Sequence, residues 1–193
     1  MVTETRKDAN TLDISIRVCR KTHYLFLETF LLTCVFLTYV NTPYFADSMD
    51  NVQPIIFLSH GGGPSFFLDA KRMPMFKGMD KDSIAADFLR NLKQTVNLKK
   101  PEAILVISAH WEERDVTINT NTDHTLHFDY YNFPPETYKL TWPVKGAPEV
   151  ARKAATRLAG KGIVCREDGV RGLDHGVFVP LKLVFPEADV PGI

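Results

Sequence analysis

PIIFLSHGGGP, residues 54–64, is the stretch that decides the fold. Its first five residues form a continuous apolar run with the length of a buried strand. His60 and three glycines follow, and consecutive glycines predict a turn whose backbone angles other residues avoid. The sequence therefore predicts a buried strand that leads directly into a histidine-bearing glycine loop.

Strand and helix patterns alternate downstream of this loop. Asp82-Ser83 offers an N-cap, and apolar residues then recur at helical spacing from Ile84 until Lys99-Lys100-Pro101 stops the helix. The apolar run Ala103–Ile107 is a second buried strand. Two strands joined by a helix predict a βαβ unit, in which the strands form an adjacent parallel pair.

The remaining chain continues the alternation. A short strand is predicted at 116–119, a helix at 150–159 opened by Pro148, another short strand at 163–165, and a long apolar run covers 177–185. The whole pattern indicates an α/β fold with a mostly parallel or mixed central sheet flanked by helices.

Composition limits the classes of protein that remain. The 193 residues are 45% apolar and 24% charged, which suits one packed domain and excludes a disordered chain. Lys and Arg number 23, as do Asp and Glu, so no basic face for nucleic acid is indicated. Cys19, Cys34 and Cys165 are odd in number and widely spaced, which argues against a disulfide framework and against a thiolate zinc site.

The N-terminal part has a different character. Residues 24–40 are almost entirely apolar and follow Arg17, Arg20 and Lys21. Three hypotheses stay open: a membrane anchor, a helix packed on the domain, or an extension without order. We expect residues 1–48 to be an N-terminal extension and residues 49–193 to be a self-sufficient domain. The protein is expected to be cytoplasmic, or membrane-anchored if 24–40 is an anchor.

Three histidines occupy similar positions in the predicted fold. His60 and His110 each follow a buried strand, so both are expected at the carboxyl edge of the sheet, where α/β proteins build their sites. His175 lies in a further glycine-flanked segment. Imidazole suits iron, zinc, copper and nickel, so the three predict a metal site assembled from loops. His124 and His127 are weaker candidates.

The glycine triplet by itself allows other functions. No Walker lysine follows it and no GxGxxG pattern is present, so a nucleotide site is disfavoured. An HGGG loop also serves as the oxyanion loop of some lipases and esterases. A hydrolase therefore remains a rival hypothesis, although the chain contains no G-x-S-x-G elbow.

Four motifs in order resemble the class III extradiol ring-cleavage dioxygenases, and most closely their 4,5-DOPA dioxygenase branch. The motifs are Ser59–Pro64 (SHGGGP), Ile107–Trp111 (ISAHW), Phe128–Pro134 (FDYYNFP) and Gly172–Gly176 (GLDHG). The resemblance covers the chain from about Val52 to its end.

This resemblance implies a mononuclear non-heme metal, Fe(II) or Zn(II), with a small catechol and O₂ as substrates. His60 and His110 match metal ligands of the family. His175 matches an acid/base residue that is counted as a ligand where zinc is bound. Trp111, Tyr130 and Phe133 are expected to wall the substrate ring. Asp174 is expected either to orient His175 or to cap a turn.

The sequence also departs from the family pattern. In this branch a third histidine ligand lies well downstream of the segment that matches 172–176, whereas the sequence stops at Ile193. We therefore expect a C-terminally incomplete dioxygenase domain with impaired activity. A metal-binding protein without catalytic activity is the alternative to an active dioxygenase.

Overall fold

The computed structural model describes residues 54–193 and, as backbone only, Cys34–Val40; all of them belong to one compact unit, residues 31–193. The strands are β1 Cys34–Val40, β2 Ile55–Ser59, β3 Ala103–Ile107, β4 Val116–Asn119 and β5 Cys165–Asp168. The helices are α1 Ile84–Thr95, α2 Pro148–Ala159 and α3 His175–Val184, with short 3₁₀ helices at Ser65–Phe67, Pro74–Phe76 and Pro135–Lys139. The predicted α/β fold is confirmed.

α1 forms where its cap and its apolar spacing predict it. The Ser83 hydroxyl accepts a hydrogen bond from the backbone N–H of Ala86 at 3.2 Å, which satisfies a donor that the first helical turn leaves free. Leu89 and Leu92 lie on the same helical face as Ala86, and all three are buried. This apolar face packs α1 against α3.

The main sheet has three described strands in the order β2–β1–β3. β1 is antiparallel to both of its neighbours, so β2 and β3 run in the same direction without touching. The prediction that they form an adjacent parallel pair is wrong. A helical crossover fixes the relative direction of two strands, but it leaves room for a strand from elsewhere in the chain to insert between them. The two strands still end at the same edge of the sheet.

β1 comes from the apolar N-terminal run. None of the three hypotheses for residues 24–40 included a strand, yet Cys34–Val40 is one; residues 24–33 lie outside the described part. The boundary between residues 48 and 49 stays a prediction. Among the described residues, no helix is both long and apolar enough to cross a membrane.

A second, smaller sheet joins β4 and β5 in parallel, with Val116 opposite Cys165 and Asn119 opposite Asp168. β5 begins at the last residue of the strand predicted at 163–165. α2 packs against this sheet through a small apolar cluster that includes Ala151 and Ile118. This part of the domain is separate from the larger core.

The larger core is built around α3, whose residues are almost all buried. Phe178 and Val179 are fully buried, and Phe185 follows the end of the helix with its carbonyl accepting a hydrogen bond from the Trp142 indole N–H at 2.9 Å. Because α3 is packed on all sides, the position of its first residue is fixed relative to the sheet.

The glycine loop after β2 requires two of its glycines. Gly61 and Gly63 have φ angles of +75° and +54°, which residues with a Cβ rarely adopt. A Cβ on Gly63 would also lie 2.9 Å from Cζ of Phe133. The loop therefore combines a special backbone conformation with close contact to an aromatic ring.

We expect Gly63→Ala to lower the free energy of unfolding by about 2–3 kcal/mol, because it adds left-handed strain and overpacking against Phe133. Gly162→Ala is the matched control: its φ is +75° and no heavy atom lies within 4 Å of the added Cβ. The Gly162→Ala variant should lose only about 1 kcal/mol of unfolding free energy, from left-handed backbone strain. Urea denaturation of both variants measures the difference. An equal cost in the two variants would show that contact with Phe133 does not constrain the loop.

Candidate metal centre

Three histidines from three different elements meet at the edge where β2 and β3 end. His60 follows β2 directly, His110 lies three residues beyond β3, and His175 is the first residue of α3. Their imidazole ring centroids are 4.2 to 4.9 Å apart. The structure thus brings together the three residues that the sequence predicted as metal ligands.

The spacing of the ring nitrogens suits a single metal ion. Nε2 of His60 and Nε2 of His110 are 3.0 Å apart, and one potential ligand atom from each histidine lies within 4.8 Å of the others. Two nitrogens 3.0 Å apart can both bind one ion at the usual distance of about 2.0–2.1 Å. Nδ1 of His60 is buried and has no hydrogen-bond partner. This donor set fits a mononuclear site for a metal that accepts imidazole.

Burial keeps His60 and His110 in the protonation state that binds metals. His60 is 2% exposed, and burial together with the neighbouring His175 and His110 lowers its pKa from 6.5 to about 4. Burial, followed by the proximity of His175, also lowers the pKa of His110. Neutral imidazole is the form that donates a lone pair to a metal, so both residues are prepared for binding near neutral pH.

Asp129 is a residue of this site to which the sequence analysis assigned no role. Its Oδ1 atom lies 2.8 Å from Nδ1 of His175 and accepts a hydrogen bond from the backbone N–H of the same residue at 2.9 Å. Burial opposes ionisation of Asp129, but the hydrogen bonds from His175 outweigh it and lower its pKa to about 2. The only sequence indication was a carboxylate placed among the aromatic rings of residues 128–133.

Asp174 caps α3 and has no hydrogen bond to the ring of His175. Its Oδ1 accepts from the backbone N–H of Val177 at 3.2 Å, and both of its oxygens lie within 2.9 Å of the Ser108 hydroxyl. Of the two roles expected for Asp174, the structure supports the capping role.

The three aromatic residues predicted to wall a substrate lie at different distances from the cluster. The Tyr130 ring is 6.0 Å from that of His175, and its hydroxyl donates to the carbonyl of Thr137. Phe133 is 5.3 Å from Tyr130, one ring further out. Trp111 contacts the Arg171 guanidinium, which lies 5.1 Å from its ring centroid.

The weaker histidine candidates lie outside the cluster. Nε2 of His124 is 3.0 Å from the carbonyl of Gly192, and the side chain of His127 is exposed. Within the part of the chain that the structure describes, His60, His110 and His175 form the only group of three or more potential metal ligands.

The low pKa of His60 makes stability dependent on pH. In the unfolded chain this imidazole has a pKa near 6.5, so the unfolded state takes up the proton first as the pH falls. The metal-free protein should therefore lose roughly 3 kcal/mol of stability between pH 6.5 and pH 4 through this residue. Urea denaturation across this range should show a smaller loss in His60→Gln, whereas His127→Gln, at an exposed position, should behave like the original chain. Parallel curves for the two variants would contradict the assignment.

Comparison with known proteins identifies related sequences. Residues 54–193 match the family described as the catalytic LigB subunit of aromatic ring-opening dioxygenase. The chain is 40% identical to a protein named dioxygenase tasH from Hapsidospora irregularis over 152 residues, which are 76% of this chain and 44% of that protein. It is 37% identical to the 4,5-DOPA dioxygenase extradiol of Beta vulgaris over 145 residues, which are 75% of this chain and 50% of that protein.

The matches cover similar shares of this chain and of each relative. The 4,5-DOPA dioxygenase extradiol of Escherichia coli strain K12 is 30% identical over 140 residues, 72% of this chain and 45% of that protein. The chain thus spans half the length, or less, of these curated relatives. The resemblance to class III extradiol dioxygenases of the 4,5-DOPA branch is confirmed. Since the family match runs from β2 to the last residue and includes all three clustered histidines, this chain belongs to the LigB family of aromatic ring-opening dioxygenases.

Proposed function

We propose that this chain carries the metal site of an extradiol dioxygenase that opens the ring of a catechol. The observation that carries the proposal is the group of three imidazoles at the sheet edge, two buried and one half-buried, in a domain that matches the ring-opening family. Its relatives include proteins named 4,5-DOPA dioxygenase extradiol, which favours a catechol with an amino-acid side chain among the possible substrates.

The reaction is balanced by its two substrates. The carbon–carbon bond beside the diol breaks, and both atoms of O₂ enter the ring-opened semialdehyde, so no external reductant is consumed. A mononuclear Fe(II) ion would supply a redox-active centre that holds catechol and O₂ together. Zn(II) suits the same imidazoles but has no redox chemistry of its own, so we propose Fe(II) for turnover and Zn(II) as an alternative occupant.

The three histidines have distinct proposed roles. His60 and His110 hold the ion, because their Nε2 atoms converge and burial keeps His60 neutral. His175 has its Nδ1 against Asp129, which leaves Nε2 free to accept a proton from the catechol and to return it later. A carboxylate beside the ring stabilises the imidazolium that forms in between.

The aromatic residues give the proposed site a wall for a flat ring. Phe133 stacks on Phe76 with ring centroids 5.4 Å apart, and both side chains are half-buried. We propose that Phe133 contacts the substrate ring. Tyr130 supports Phe133 from the core, and Trp111 borders the site beside His110.

The hydrolase hypothesis receives less support from the structure. A serine hydrolase needs a hydroxyl hydrogen-bonded to a histidine ring. Among the described residues, no serine hydroxyl bonds to a histidine side chain; Ser108, the nearest candidate in sequence to His110, donates to Asp174 instead. Metal binding without turnover remains the alternative that experiment must separate from catalysis.

The first test is metal binding. Zn(II) titrated into the metal-free chain should bind at a stoichiometry of one, and His60→Ala and His110→Ala should each weaken binding about 100-fold or more, since each removes a proposed ligand. His127→Ala, an exposed position, is the control and should bind like the original chain. Unchanged affinity in both variants of the cluster would remove the basis of the proposed function.

The second test is turnover. Catechol and 3,4-dihydroxyphenylalanine, offered with Fe(II) and air, should give a yellow semialdehyde with uptake of one O₂ per ring opened. His175→Ala, assayed at saturating Fe(II), should lower the rate by about 10²–10⁴-fold through loss of the acid/base group, in addition to weakening Zn(II) binding. Hydrolysis of an ester without metal would favour the hydrolase. Tight metal binding with no oxygen uptake would identify a metal-binding protein without dioxygenase activity.

A further inference from the structure

One carboxylate faces two histidines that come from different parts of the fold. Oδ1 of Asp129 lies 2.8 Å from Nδ1 of His175, and Oδ2 lies 3.7 Å from Nδ1 of His110. Asp129 belongs to the loop before the 3₁₀ helix Pro135–Lys139, so it reaches the cluster from outside the elements that carry the three histidines.

We propose that Asp129 is a positioning residue that fixes the tautomer and the orientation of His175, so that its Nε2 lone pair faces the other two imidazoles. The proposal rests on the proposed metal site, whose residues it orders. An ionised carboxylate only accepts hydrogen bonds. A His175 ring with a single proton must therefore carry that proton on Nδ1, next to the carboxylate, and leave Nε2 unprotonated.

The same oxygen also fixes the direction of the ring. Oδ1 accepts from the backbone N–H of His175 at 2.9 Å as well as facing its Nδ1. Two groups of one residue that share one acceptor leave the side chain little rotational freedom, and α3 holds the backbone of that residue in place. The Asp129 side chain is 17% exposed, so water competes only weakly for this acceptor.

The other carboxylate near the cluster does not have this geometry. Asp174 is 2% exposed and directs its oxygens to Ser108 and to the N-terminus of α3. It lies next to His175 in sequence but has no hydrogen bond to the ring. The pair Asp129 and Asp174 therefore provides one carboxylate that contacts the ring and one that stabilises only its surroundings.

The test reads the tautomer directly in the metal-free protein. Nitrogen-15 NMR of the histidine side chains at pH 8.5 should show His175 protonated at Nδ1. Asp129→Ala should give a mixture of both tautomers, and Asp129→Asn, which keeps a neutral acceptor oxygen, should restore the Nδ1 form in part. Asp174→Asn is the matched control: stability should fall through loss of a charged cap, while the tautomer of His175 stays as in the original chain.

Zn(II) affinity provides a second measurement. Asp129→Ala should weaken binding about 10–100-fold, as expected for loss of a carboxylate that orders a ligand, and Asp129→Asn should lie between the two. An unchanged tautomer in Asp129→Ala would overturn the proposal even if Zn(II) binds. Failure of the original chain to bind Zn(II) would instead overturn the proposed metal site, and the NMR measurement would still decide the role of Asp129.

Discussion

The buried carboxylate of Asp174 joins the two elements on which the histidine cluster depends. A buried charge is costly unless it is surrounded by donors, and Asp174 has three neighbours that meet this need: the Ser108 hydroxyl, the Val177 backbone N–H and the Arg171 guanidinium at 3.5 Å. The Ser108 hydroxyl in turn accepts a hydrogen bond from the backbone N–H of His110 at 3.1 Å. The end of β3 and the start of α3 are therefore one hydrogen-bonded unit, which sets the distance between His110 and His175.

Apolar packing positions α3, and polar contacts at the sheet edge position the histidine side chains. The apolar body of α3 is buried among the core residues, and its first residue projects at the sheet edge. Asp129, Asp174 and Ser108 pair with groups at that edge, whereas Nδ1 of His60 stays buried without a hydrogen-bond partner. Burial also lowers the pKa values of His60 and His110 and so keeps both imidazoles neutral, which is the state that binds a metal.

The sequence predicted most of this arrangement where the information is local. The cap at Ser83 defines the start of α1, and the bounds of β3 and β4 match the structure, but α1 ends at Thr95, before the stop predicted at Lys99-Lys100-Pro101. The convergence of His60 and His110 was also predictable, because it depends only on two strands that run in the same direction. Their separation by β1 was not, since none of the hypotheses for the apolar run at 24–40 contained a strand.

Long-range polar contacts were the other limit of prediction. Asp129 and His175 are 46 residues apart, and no periodic pattern links them. Asp174 is adjacent to His175 and was the obvious candidate for the same role. The choice between the two carboxylates depends on where a loop passes the start of α3, which is a property of the packed structure.

Close contacts at two glycines limit how this site can diversify. A Cβ on Gly176 would lie 2.6 Å from Cδ2 of His110, and one on Gly63 would meet Phe133. A larger residue at either position would therefore force a neighbouring group to move. Phe76 and Phe133, by contrast, are half-buried and stack on each other at the side of the glycine loop. Under the proposed function, selection for a different substrate would therefore act more readily on these two half-buried rings than on Gly63 and Gly176.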